Sequence, residues 1–353
     1  MSWPATSIRR GLQTLALLLG VLALPVVSVA LAAGSSGPGS NAASSTAPAS
    51  TQQSGLAEAN NALQAGQADK AISTLQSLPQ SEAGSAQAHN LRCRVLFTLQ
   101  RWDAAASECE QAVKLGDQDS MNHLWLGRVL GEMADNASFV NAYGLAKRTR
   151  AEFEKAVELD GHNAEAMTDL GEFYSEAPGV VGGGTDKAAT IASKLDRIDT
   201  VRAHELRAAI AKQNHDLGTA ERELRQAISA SAHPAPQWMR LASFFRKYKR
   251  WDEMENAIQS GMTAAEHDRH SSVALFNGAS VLIKANRNPE LAEKLLQMYL
   301  AAPNSTEEAP TFEAHVWMAK LKAQLGDKAG ARDERAAALA LASGFKPAQE
   351  LKF

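Results

Sequence analysis

Small and large apolar residues recur along this chain in two alternating patterns. Met167, Leu170, Gly171 and Tyr174 occupy positions 4, 7, 8 and 11 of a unit that starts at Ala164, one face of a helix. Trp238, Leu241, Ala242 and Phe245 repeat that spacing with an aromatic in the first place. A second pattern follows each first one, with a large residue at position 24 and a small one at position 27. Phe153/Ala156 and Leu224/Ala227 show it, and Cys109/Ala112 is a variant. Position 8 fixes the register: Cys93 and Gly127 lie 34 residues apart, and so do Ala208 and Ala242. The pattern predicts helix pairs, each hiding one face, with small residues where backbones approach and large ones filling the gaps. One such pair buries too little to stand alone, so each must lean on the next.

Eight units follow, starting near Gln52, Ala86, Ser120, Ala164, Val201, Ala235, Ser271 and Phe312. The third holds about ten extra residues near 136–147, and the fourth holds the glycine-rich stretch near 177–185. A connector, Ala302 to Thr306, separates the last two units, and the alanine-rich first unit reads as a terminal cap. This spelling resembles the tetratricopeptide repeat, a helix–turn–helix of 34 residues. The resemblance covers residues 52–353 and implies an all-α, right-handed solenoid of about eight hairpins.

The same resemblance implies a concave wall made by the first helix of each unit. Its slots hold Asn90, Arg94 and Phe97, then Leu124, Arg128 and Glu132, then Glu165, Glu172 and Glu176. Arg202, Lys212, Met239, Arg246 and Lys247 continue the row. Arg94 and Arg128, one repeat apart, are placed to grip a carboxylate-bearing segment. The alternative is that these polar residues only keep the groove hydrated. The Lys/Asn clamp of chaperone-binding relatives is missing, because Trp125, Glu165 and Asp169 stand in the slots it needs. Pro178, Gly179, Val180 and Val181 form an apolar loop resembling one in exported bacterial members of the family. Its two readings are contact with a partner and folding back onto the array.

Arg9 and Arg10 precede a charge-free run from Leu12 to Ala33 that ends in Ala30-Leu31-Ala32. That order is the one a secretory signal peptide has, here residues 1–33, and an uncleaved membrane anchor is the other reading. Residues 34–51, rich in Ser, Ala and Gly, read as a flexible linker. Cleavage takes the formal net charge from −3 to −5 and leaves no membrane span. An acidic chain without a basic stripe argues against nucleic acid. Export, to the periplasm or outside the cell, also changes how the cysteines read. Cys93 and Cys109 lie symmetrically about the turn of their hairpin, with α-carbons about 4–5 Å apart from helix-packing distances. In an oxidising compartment this predicts a Cys93–Cys109 disulfide; the alternative is two buried thiols acting as apolar fillers.

Four histidines, His89, His123, His204 and His315, occupy position 4, where an aromatic normally packs, and are expected to pack likewise. His267 and His270 have a metal-like spacing but fall in a polar connector, so no metal and no cofactor are expected. His204-Glu205 lacks the second histidine of a zinc protease, and Gly278-Ala279-Ser280 lacks the trailing glycine of a nucleophile elbow. The expectation is a non-enzymatic envelope scaffold that binds a protein or peptide in its groove, with no oligomeric state implied. The alternative is a periplasmic small-ligand accessory of an envelope transporter.

Overall fold

The computed structural model describes residues 49–266, 268, 271–302 and 306–353. The signal peptide, most of the linker, His267, His270 and the Pro303–Ser305 part of the connector lie outside the described residues. Among the described residues, eight helical hairpins follow one another. They are α1 (Ala49–Gln64) with α2 (Ala68–Gln76), α4 (Ala86–Thr98) with α5 (Trp102–Leu115), and α6 (Ser120–Asn136) with α7 (Phe139–Leu159). Next come α8 (Ala164–Glu176) with α9 (Thr185–Leu195), α10 (Thr200–Gln213) with α11 (Leu217–Ala230), and α12 (Ala235–Lys247) with α13 (Trp251–Glu266). The last two are α14 (Ser272–Ala285) with α15 (Pro289–Ala301) and α16 (Thr311–Gln324) with α17 (Lys328–Leu341). Short helices α3 (Gln80–Ala83) and α18 (Lys346–Gln349) complete the set. Among the described residues there is no strand, and no helix is long and apolar enough to cross a membrane. The fold is an all-α solenoid.

Local chemistry explains where the helices begin and end. Ser85, Asn163, Asp199, Asp216 and Asp327 each cap a helix by accepting the backbone N–H three residues on. The turn inside each hairpin that lacks an insertion is one repeated device. Gly66, Gln100, His215, Lys249, Asn286 and Gly326 all have positive φ, between 52° and 92°. The amide after each bonds the carbonyl five residues back, as Arg101 does to Leu96 and Arg250 to Phe245, both 2.9 Å. This is the Schellman termination, and the left-handed residue is what lets the chain reverse within three residues. In the third unit the extra residues are absorbed as helix, so α6 and α7 run to 17 and 21 residues.

Position 8 is small because position 24 stands against it. A β-carbon on Gly127 would lie 2.5 Å from the Phe153 ring. In the second hairpin the same two places hold Cys93 and Cys109, at disulfide distance with α-carbons 5.2 Å apart.

One feature departs from the expected open array: its two ends meet. Ala59, Ala62 and Leu63 of α1 share an apolar cluster with Phe312 and Val316 of α16 and with Phe345 beyond α17. Asp69 accepts the Ser343 amide at 2.8 Å, and the Thr311 hydroxyl donates to the Ala65 carbonyl. The first hairpin is therefore not the solvent-facing cap that its alanine content suggests. Those alanines let the eighth hairpin approach closely.

Candidate functional site: the inner wall

Successive first helices touch one another, in the pairs α4–α6, α6–α8, α8–α10, α12–α14 and α14–α16, while second helices pack chiefly on first helices. Helices that approach most closely lie on the inside of a curve, so the first helices form the inner wall. The slots nominated from the sequence are on these helices, but their side chains are occupied unevenly.

Asn90 donates to Asn122 at 3.0 Å, and Asn122 donates onward to the Ala112 and Gly116 carbonyls. It therefore ties the second hairpin to the third and does not face a partner. Leu124 is fully buried in the cluster between the third and fourth hairpins. Phe97 stands edge-on to Trp102 and Trp125, with centroids 5.2 and 5.5 Å away.

The two arginines flank Trp125, their guanidinium carbons 5.4 Å (Arg94) and 4.8 Å (Arg128) from its ring centroid. Arg128 is only 2% exposed, donating to Asp169 at 2.6 Å and to Glu165 at 3.0 Å. Burial alone would lower its pKa, but Asp169 and Glu165 outweigh burial and raise it, so the cation persists at any working pH. Arg128 is thus spent inside the wall and is not available to grip a partner's carboxylate. Arg94 is also occupied, differently. Its Nε and Nη2 make a two-point contact with both carboxylate oxygens of Glu307, at 3.0 and 2.8 Å, and Nη2 also reaches Asn60.

Further along, the wall turns acidic and then basic. Burial pushes the Glu132 carboxyl up to about 7. Glu172 is 8% exposed, and burial pushes it up to about 8; Arg240 and Lys212 pull it down while Asp169 and Glu176 push it up. Its Oε2 has no hydrogen-bond partner, and neither do Gln237 Oε1 nor Arg246 Nε. Arg240 pairs with Glu205 at 2.8 Å.

The glycine-rich loop folds back onto its own array. Val181 is fully buried among the third and fourth hairpins, Arg150 donates to its carbonyl at 3.2 Å, and Gly184 donates to Tyr174 at 2.8 Å. Gly182 has φ +96°, and a β-carbon there would meet the Arg150 guanidinium at 1.7 Å. Pro178 is partly buried, leaving Gly179 and Val180 as the exposed tip.

Sequence reasoning missed the histidine partners. His89, His123, His204 and His315 each place Nδ1 2.7 Å from a carboxylate of the second helix: Glu108, Glu152, Glu223 and Glu334. The separations are 19 residues in three cases and 29 in the third unit, which carries the insertion. That constant offset was a readable signal. These imidazoles bolt first helix to second rather than filling space alone. Among the described residues no cluster has the makings of a metal site.

No protein-family model matches the chain, and no curated protein matches it. Solved structures do resemble it. A thermophilic TPR protein of Thermus thermophilus is 16% identical with a TM-score of 0.46, over 55% of this chain and 98% of that one. The C-terminal part of a TPR repeat-containing protein from Cytophaga hutchinsonii is 14% identical, TM-score 0.40, over 84% and 100%. PilF of Pseudomonas aeruginosa is 14% identical, TM-score 0.34, over 75% and 95%. Likeness at this level carries no functional information.

Proposed function

We propose that this chain is a non-enzymatic repeat scaffold of the bacterial cell envelope that binds a protein or peptide along its inner wall. One observation carries the reading. Buried polar atoms are almost always hydrogen-bonded, yet Glu172 Oε2, Gln237 Oε1 and Arg246 Nε on the inner helices have no partner. None of the three atoms is reached by solvent as the chain stands, so each side chain must turn outward to meet a partner. An extended polypeptide, with alternating N–H and C=O groups, can meet both donors and acceptors on such a wall without needing a closed pocket. The envelope location is supported by the basic, then uncharged, then small-residue order of residues 1–33, and by two cysteines placed to bond.

Site-specific photocrosslinking in intact cells tests this. A photoreactive residue at Gln237, on the inner wall, is expected to yield a discrete adduct. The same residue at Arg222, exposed on the second helix of the fifth hairpin, is expected to yield none. Equal labelling from both positions, or none from Gln237, sinks the proposal.

A further inference from the structure

The residue that closes on Arg94 comes from far along the chain. Glu307 lies 213 residues away, in the connector that precedes α16. It stands in a tight turn: Thr306 and Ala309 pair as an isolated bridge, and the Ala309 amide bonds the Thr306 carbonyl at 3.2 Å. The Thr306 hydroxyl accepts the Glu308 amide, and the Glu307 amide donates to Gln64 of α1. Two acidic residues therefore occupy the tip of a turn laid against the inner wall. Glu307 grips Arg94 of the second hairpin. Glu308 beside it is exposed and adds to the negative field, mainly of Glu205 and then Glu172, that raises the Arg240 pKa against the lowering effect of burial.

We propose that the Glu307–Glu308 turn is an internal pseudo-ligand, occupying the site where an acidic segment of a partner docks and latching the two ends of the array together. The inference rests on the inner wall being the binding surface and adds how that surface is regulated and what it selects. The mimic defines the ligand: internal side-chain carboxylates on a turn or extended segment, meeting a guanidinium at two points. A guanidinium fork takes a carboxylate or a phosphate in this way, and the group the chain itself places there is a carboxylate. A partner's carboxylate replaces Glu307 on Arg94, and the connector's contact to Gln64 then loses its anchor. The chain's own carboxylate has the higher effective concentration, so a partner needs more than one acidic residue to compete.

The test measures binding of an amidated, fluorescein-labelled hexaglutamate peptide, and of an uncharged peptide with a free C-terminus, to the full chain. Glu307→Gln with Glu308→Gln removes the competitor; if that competitor holds the site nine-tenths of the time, affinity for hexaglutamate rises about tenfold. Adding Arg94→Gln to that variant abolishes the gain. Hydrogen exchange of α1 and of residues 306–313 speeds up when the wild-type chain is saturated with hexaglutamate. Far-UV circular dichroism confirms that each variant is folded, and Glu307→Ala replaces the double variant if it is not. Unchanged hexaglutamate affinity in the double variant overturns the pseudo-ligand while leaving the inner wall intact as a surface. A gain that survives Arg94→Gln removes Arg94 from the site, and preference for the free C-terminus refutes side-chain mimicry. No binding by any variant overturns the acidic-partner assignment itself, whereas loss of Gln237 crosslinking alone concerns only the wider groove.

Discussion

Three of the six hairpin turns hold a left-handed residue that is not glycine or asparagine. Gln100, His215 and Lys249 have φ of 57°, 59° and 58°, and all three are exposed. Their side chains make no hydrogen bond whose loss would confuse the result, so replacement by glycine isolates the backbone. Relief of the Cβ–carbonyl clash is worth about 1–2 kcal/mol per site. Glycine gives back about 0.5–1 kcal/mol because its unfolded chain is freer. The net gain is about 0.5–1 kcal/mol per site. The sites lie in separate hairpins and share no partners, so Gln100→Gly, His215→Gly and Lys249→Gly together are worth about 1.5–3 kcal/mol. Asn286, with φ 52°, sets the lower bound: asparagine tolerates this region and its side chain accepts a hydrogen bond from Gln324 at 3.1 Å, so Asn286→Gly gains less on both counts. Urea unfolding followed by circular dichroism reads the change as a higher midpoint at constant slope. A triple variant with an unchanged or lower midpoint refutes the argument that these turns store conformational strain.

Gly127→Ala should destabilise by about 1–3 kcal/mol despite alanine's better helix propensity, because the new methyl meets the Phe153 ring; a melting temperature equal to or above wild type contradicts this. Arg128→Met should lose about 3–5 kcal/mol, since it strands Asp169 without its cation inside the wall; denaturant titration reads it. Reducing Cys93–Cys109, or Cys93→Ser with Cys109→Ser, should lower stability by about 3 kcal/mol if the pair is oxidised, since the bond closes a short loop. Mass spectrometry on the native protein should show a two-hydrogen gain on reduction. Glu172 is an acid whose folded pKa is raised, so the folded state holds its proton more tightly than the unfolded chain. Its contribution is complete below about 4.5, and stability declines as pH rises through about 8. Glu172→Gln should flatten that decline, and a slope identical to wild type across this window refutes the assignment.

The repeat was legible because its contacts are periodic. Position 8 meets position 24 in hairpin after hairpin, so Gly127/Phe153 and Cys93/Cys109 announce each other from spacing alone. Unit starts therefore fall within three residues of the helix starts, from Ala49 for the expected Gln52 to Ala235 itself. The fate of the inner wall was not legible, because its contacts are aperiodic. Arg128 and Asp169 stand 41 residues apart across an insertion, and Arg94 and Glu307 stand 213 apart. A slot table identifies which residues face inward but not whether another part of the chain has already claimed them. The histidines are the opposite case: their offset to glutamate is periodic and readable, but position 4 is also a packing slot, and an imidazole there both packs and pairs.

End-to-end contact changes what such an array is physically. An open stack gains one interface per added hairpin, and its terminal hairpins, each with a single neighbour, fray first. Here the first hairpin has two neighbours, because Phe312 and Phe345 cover the face that Leu63 and Ala62 present. Fraying of the first hairpin must then break the apolar contact and the hydrogen bonds at Gln64, Ala65 and Asp69, while the Arg94–Glu307 pair ties the connector to the second hairpin. The same contact narrows access to the inner wall, and that sets up a tension between stability and binding. The apolar part of the seam is indifferent to a polar ligand, while the ionic part at Arg94 is the one place where a competing carboxylate exchanges like for like. A seam built mainly of apolar contacts but secured over the binding surface by one exchangeable ion pair holds the array shut at rest. It also gives way at the point where an acidic partner arrives.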